Sequence, residues 1–115
     1  IKQYMATSKP EPFAERIAEK YGLNAYLDGV AGASFDSSRA EKDQVVAYAI
    51  ERFGLDPQKT VMVGDRKYDV EGAAANGIKT IGVLFGYGDE NELRTAGAIK
   101  IARTAAEIPD IISNM

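Results

Sequence analysis

The chain has 115 residues, with 17 acidic and 14 basic side chains, a formal net charge of −3, 45% hydrophobic residues, and neither His nor Cys. That length fits one domain, and the composition is that of an ordinary globular protein. Without Cys or His there is no disulfide, thiolate nucleophile, Ser-His-Asp triad or histidine zinc site, and the mild acidity offers phosphodiester backbones no basic stripe. What remains for chemistry is carboxylates, hydroxyls and lysines, the groups that handle hard cations and phosphate. No apolar run approaches the ~20 residues of a spanning helix, and the start of the chain lacks the layout of a signal peptide. The expectation is a cytoplasmic protein with neither a nucleic-acid nor a membrane partner.

In chain order, residues 3–6 read as a short strand followed by the polar run Thr7-Ser8-Lys9-Pro10. A helix follows with Phe13, Ile17 and Tyr21 on one face, and Gly22 ends it. Residues 29–33 fit a brief strand of small residues. Ser38-Arg39-Ala40-Glu41 has the S-x-x-E spacing of a capping box and opens a helix. The apolar face of that helix is Val45, Val46, Ala49, Ile50 and Phe53, and Gly54 closes it. Asp56-Pro57 turns into the β-branched strand 60–63, which stops at Gly64-Asp65. A helix over 69–76, ended by Gly77, leads to a strand over 79–84 and the turn Gly86-Tyr87-Gly88. A short helix over 90–96, a strand over 99–102 and a helix over 109–113 complete the chain.

Apolar strands alternating with amphipathic helices imply an α/β fold with a parallel sheet covered on both faces. Ligands of such sheets sit beyond the C-terminal ends of the strands, where Thr7-Ser8-Lys9 and Gly64-Asp65-Arg66-Lys67-Tyr68-Asp69 fall. Asp65 and Asp69, four apart, share a helix face. They serve either as acids at a helix N-terminus, which the macrodipole favours, or as magnesium ligands. Magnesium often takes only one or two carboxylates plus water and phosphate. Lys42 lies in the first turn of its helix, and it either snorkels into solvent or reaches an anion. Arg39 and Lys67 compete for that second role. Thr7 and Ser8 end a strand ahead of a helix and can hold phosphate, although Ser8 with Glu11 also fits a helix cap. The loop over residues 35–39, including Asp36, is a low-grade candidate for substrate contact, and Tyr87 for pocket lining.

Together, Met5-Ala6-Thr7-Ser8-Lys9-Pro10, Lys42 ahead of Val45-Val46-Ala47-Tyr48-Ala49, and Val61-Met62-Val63-Gly64-Asp65-Arg66-Lys67-Tyr68-Asp69 resemble the haloacid dehalogenase-like phosphatases. Within them the chain is most similar to the phosphoglycolate phosphatase and 5′-nucleotidase-like branch. The stretch 70–83 and Gly86-Tyr87-Gly88 extend the match over essentially the whole chain. The resemblance implies a Rossmann-like three-layer αβα core and a magnesium-dependent phosphate monoester hydrolase working through an aspartyl-phosphate. Catalytic and phosphate-holding roles then fall to Thr7 and Lys42, with Ser8 at the phosphate as well. Asp65 contacts Mg²⁺, and Asp69 lies in or beside its shell.

One departure from the family is serious. Its D-x-D-x-T nucleophile motif precedes everything here, and this sequence contains no Asp-x-Asp. The expectation is therefore the C-terminal part of a phosphatase core, without first strand or cap, and inactive alone. In the family the first strand lies between the Thr7 strand and the Asp65 strand. Its absence predicts a partner segment, a strand-exchanged dimer, or direct pairing of those two strands. The alternative function is a non-catalytic doubly wound module that binds magnesium or a phosphorylated ligand and regulates a partner. The substrate, a small phosphorylated metabolite, stays open among nucleoside monophosphate, phosphoglycolate, pyrophosphate and sugar phosphate.

Overall fold

A computed structural model describes residues 1–36 and 38–115, and Ser37 of the loop singled out above lies outside them. The chain divides into two compact units, Ile1–Asp56 and Pro57–Met115, which are described in turn.

In the first unit, β1 (Tyr4–Pro10) runs parallel to β2 (Gly29–Ala33), with Tyr4 opposite Gly29 and Ala6 opposite Ala31. The register slips between Ala6 and Pro10, so the strand runs past the predicted end and takes Thr7, Ser8 and Lys9 with it. Successive residues of a strand face opposite sides, which sorts this sheet into two small cores. Ala31 and Ala33 pack with Val45 and Ala49 of α2 (Lys42–Phe53), joined by Ala6. Val30 packs with Ala14 and Ala18 of α1 (Glu11–Lys20), joined by Met5. The β1–β2 ribbon is thus covered by a helix on each face.

The small residues let the helices come close. A Cβ on Gly32 would lie 2.8 Å from Glu11 N, and one on Gly29 would strike the Phe53 ring. That closeness corrects the predicted face of α1. The buried positions are Ala14 and Ala18, and of the expected residues only Ile17 is half-buried. Phe13 and Tyr21 are exposed, and Phe13 meets Phe35 edge-on at 5.6 Å.

In the second unit, β3 (Val61–Gly64), β4 (Lys79–Val83) and β5 (Lys100–Ala102) form a parallel sheet in the order β3-β4-β5. The connections are α3 (Lys67–Ala74) and α4 (Glu90–Ala96), and α5 (Ile108–Ser113) follows β5. Ile81, Val83 and Ala102 form one core face, covered by Ile108, Ile111 and Ile112. On the other, Gly82 lies under Leu93, and a Cβ there would sit 3.0 Å from Leu93 Cδ1. The α/β class with parallel strands is as expected. Among the described residues the strands form two sheets, β1-β2 in the first unit and β3-β4-β5 in the second. No described helix is long and apolar enough to cross a membrane.

Candidate phosphate and cation residues

In the first unit, β1 and the start of α2 are joined by a charged hydrogen bond. The Lys42 ammonium donates to the Ala6 carbonyl at 2.7 Å, which brings Lys42 beside the residue preceding Thr7. A cation at N1 opposes the helix dipole, and this carbonyl offsets that cost. Thr7 is half-buried, and its Oγ1 accepts the Lys9 N–H at 3.2 Å. Its own proton remains as a donor. Ser8 is exposed on the strand and does not cap α1, whose N-cap is Pro10. Glu11 instead accepts from Gly32 N at 3.2 Å and from Arg52 Nη1 at 3.1 Å.

The predicted capping box at Ser38 is corrected three residues downstream. The N-cap of α2 is Glu41, and Gln44 Oε1 accepts the Ala40 and Glu41 N–H groups at 3.0 Å each. Ser38 donates from both its hydroxyl and its N–H to Asp36, at 2.7 and 3.0 Å. These donors, with Ser34 beyond them, pull the Asp36 carboxyl from 3.8 to about 2. One edge of the Arg39 guanidinium is already engaged. Its Nε donates to the Gly32 carbonyl at 2.8 Å, and its guanidinium lies 3.7 Å from the Tyr48 ring centroid.

In the second unit, Asp65 and Asp69 meet where β3 passes into α3, and both are half-buried. Asp69 is the N3 residue of α3, and its Oδ2 accepts from Asp65 N at 3.1 Å and Arg66 N at 3.3 Å. The structural role considered for this acid is therefore present. Gly64 makes room for it, since a Cβ there would lie 2.7 Å from the Asp69 carboxyl carbon. The Asp65 carboxylate takes a different partner, with Oδ2 accepting the Tyr87 N–H at 3.0 Å.

Lys67 is engaged through its backbone, and the residue is exposed. Its N–H donates to Glu92 Oε2 at 3.0 Å, and its ammonium lies 5.4 Å from the Tyr68 ring. Glu92 also takes Arg66 Nε at 2.9 Å. The Arg66 hydrogen bond is the main reason its carboxyl sits below the usual glutamate range, with the Lys67 N–H second. The sequence reading passed over Glu92, although Asp89-x-x-Glu92 carries a capping signature and Asp89 does accept the Glu92 N–H at 2.7 Å.

No group of three or more carboxylates is gathered for a metal among the described residues. The donor set still fits magnesium, which needs one or two protein oxygens and takes the rest from water and phosphate. Asp65 is such a donor, fixed at its N–H and at one carboxylate oxygen.

Comparison with known proteins bears on these residues. Tyrosine-protein kinase PtkA of Mycobacterium tuberculosis is 47% identical over 88 residues, which cover 76% of this chain and 30% of that protein. A 5′-nucleotidase of Pseudomonas aeruginosa is 37% identical over 91 residues, 79% of this chain and 41% of that protein. The crystal structure of a predicted phosphatase from Clostridium acetobutylicum superposes with a TM-score of 0.96 at 36% identity, over 100% of this chain and 53% of that one. The chain therefore spans less than half the length of those curated relatives and about half of the solved one. A family model for haloacid dehalogenase-like hydrolases matches residues 1–77, the stretch holding Thr7, Lys42, Asp65 and Asp69. On that match the chain belongs to the haloacid dehalogenase-like hydrolases.

Proposed function

We propose that this chain supplies the phosphate-holding and cation-holding parts of a magnesium-dependent phosphate monoester hydrolase acting on a small phosphorylated metabolite in the cytoplasm. The observation that carries the reading is the Lys42 ammonium fixed 2.7 Å from the Ala6 carbonyl, beside Thr7. A lysine held on β1 by a backbone acceptor is a positioned point charge, suited to a phosphoryl dianion. The Thr7 hydroxyl donates to a phosphoryl oxygen, Ser8 stands next to it on the strand, and Lys42 neutralises charge on phosphate and nucleophile. Asp65 holds the cation, and Asp69 fixes the backbone from which Asp65 projects. When bound, Mg²⁺ supplies charge neutralisation at the phosphoryl oxygens. Phosphoryl transfer is mostly positioning and charge stabilisation, and these side chains supply both.

The attacking carboxylate of the proposed aspartyl-phosphate route belongs to an Asp-x-Asp pair, which this sequence does not contain. Purified chain with p-nitrophenyl phosphate and Mg²⁺ is expected to give no turnover. Mixed with a segment of a relative that carries the Asp-x-Asp strand, it is expected to gain turnover that Lys42→Met and Asp65→Asn each abolish. Hydrolysis by the chain alone would overturn the assignment of the nucleophile, and full activity in Asp65→Asn would overturn the cation role. The relative named as a tyrosine-protein kinase favours a second reading, phosphoryl transfer to a tyrosine hydroxyl. ATP and a tyrosine-containing peptide in the same assay separate the two.

A further inference from the structure

Building on the reading of Asp65 as a cation ligand, we propose that the Gly86-Tyr87-Gly88 turn is a positioning element for the Asp65 carboxylate, acting through the backbone N–H of Tyr87. That N–H donates to Asp65 Oδ2 at 3.0 Å. Tyr87 is 92% exposed, so burial of the ring is not what holds the turn.

The two glycines show what does. A Cβ on Gly86 would strike the Asp65 side chain and lie 2.7 Å from its carboxyl carbon. A Cβ on Gly88 would strike the Asp65 carbonyl oxygen and lie 2.8 Å from Glu92 Oε2. Neither glycine has a left-handed φ, so each is needed for closeness rather than for conformational freedom. The turn lies against both the side chain and the main chain of Asp65. Asp69 holds the Asp65 N–H, and Glu92 holds Arg66 and Lys67 immediately after it.

The chemical consequence follows from the two oxygens of a carboxylate. With Oδ2 receiving an N–H, Oδ1 is the ligating atom, and rotation of the carboxylate is restrained by a partner that is not itself a ligand. Such outer partners orient a ligand and set its affinity. Magnesium demands near-octahedral geometry, so a carboxylate left to rotate holds it less well.

Tyr87→Pro deletes the N–H, whereas Tyr87→Ala keeps it. The probe is Mn²⁺, followed by paramagnetic broadening of backbone amide signals around Asp65 and by electron paramagnetic resonance titration of free metal. Tyr87→Ala is expected to bind as the parent does, and Tyr87→Pro to lose about tenfold in affinity while remaining folded by circular dichroism. Gly86→Ala displaces the same carboxylate from its side, and it is expected to lose a similar factor even if the proline is not accommodated. Parental affinity retained in folded Tyr87→Pro and Gly86→Ala would overturn the positioning role alone. An equal loss in Tyr87→Ala would assign the effect to the ring and overturn it too. A parent chain showing no broadening near Asp65 would overturn the ligand role of Asp65, and the positioning role with it.

Discussion

Gly64→Ala tests whether the start of α3 is built as described. Gly64 is buried at the end of β3, and a methyl there would collide with Asp69 Cβ and sit 2.7 Å from its carboxyl carbon and Oδ2. Neither group has room to yield, because Asp69 Oδ2 is holding Asp65 N and Arg66 N. Overpacking of this kind costs about 1–3 kcal/mol, and losing a cap-type carboxylate costs about 1 kcal/mol more. The expected total is about 2–4 kcal/mol. With a urea slope of about 2 kcal/mol/M, a 3 kcal/mol loss lowers the unfolding midpoint by about 1.5 M.

Asp69→Ala removes the carboxylate contacts though not the Cβ, and both variants forfeit the same cap carboxylate, so the double variant should be less destabilised than the sum of the singles by about 1 kcal/mol. Gly77→Ala is the contrasting control. Its φ is +74 and the nearest foreign atom, Pro57 Cβ, is 3.9 Å away, so its cost of about 1–2 kcal/mol is conformational and independent of Asp69. Gly64→Ala within about 0.5 kcal/mol of the parent, the range of an inconsequential surface change, would refute the reasoning. Strict additivity with Asp69→Ala would also do so.

Three further outcomes are expected. Thr80 is 2% exposed and its Oγ1 has no hydrogen-bond partner among the described residues, so Thr80→Val should stabilise by about 1 kcal/mol. That raises the melting temperature by roughly 4–8 °C, and an unchanged or lower value would count against an unsatisfied hydroxyl. Asp36 should titrate near 2 rather than 3.8 in carboxyl carbon NMR. Because its folded value is the lower one, the stabilisation it gives is full above about 3.9 and fades as pH falls through about 2; an ordinary midpoint would show that Ser38 and Ser34 do not hold it. Arg39→Lys should destabilise the first unit by about 1 kcal/mol, since an ammonium cannot both stack on Tyr48 and donate to Gly32 as the planar guanidinium does. Phosphate affinity should stay unchanged in that variant, and a loss would restore Arg39 as an anion ligand.

The second unit was the more legible half from sequence. Val61, Met62 and Val63 lead into a glycine, and Thr80, Ile81 and Val83 lie between helical stretches, so strand periodicity needs no tertiary information to be seen. The helix over Glu90–Ala96 has the predicted bounds because Asp89 and Gly97 mark both ends chemically. In the first unit, side-chain size misled. Phe13 and Tyr21 carry more hydrophobicity than Ala14 and Ala18, but α1 begins hard against the Gly32 backbone at Glu11, and the residues it packs on Val30 are the two alanines.

Two capping signals overlap at Ser38–Glu41 and Glu41–Gln44, and the second prevailed because the Ser38 hydroxyl is engaged by Asp36. That Asp65 and Asp69 meet was legible from their spacing, and that Lys42 lies near Thr7 only by resemblance. The Tyr87 N–H was not legible at all, since a main-chain donor leaves no trace in residue identity. Glu92 lies 25 residues from the Lys67 N–H it accepts, a distance that local patterns cannot span.

The most direct measurement is a backbone amide NMR titration of this chain, first with inorganic phosphate and then with Mg²⁺. Phosphate should shift the Thr7, Ser8 and Lys42 signals in the parent and not in Lys42→Met. Mg²⁺ should shift those of Asp65 and Asp69 in the parent and not in Asp65→Asn. Shifts that miss these residues, or that persist unchanged in the two variants, would contradict the assignment of phosphate and cation to these side chains.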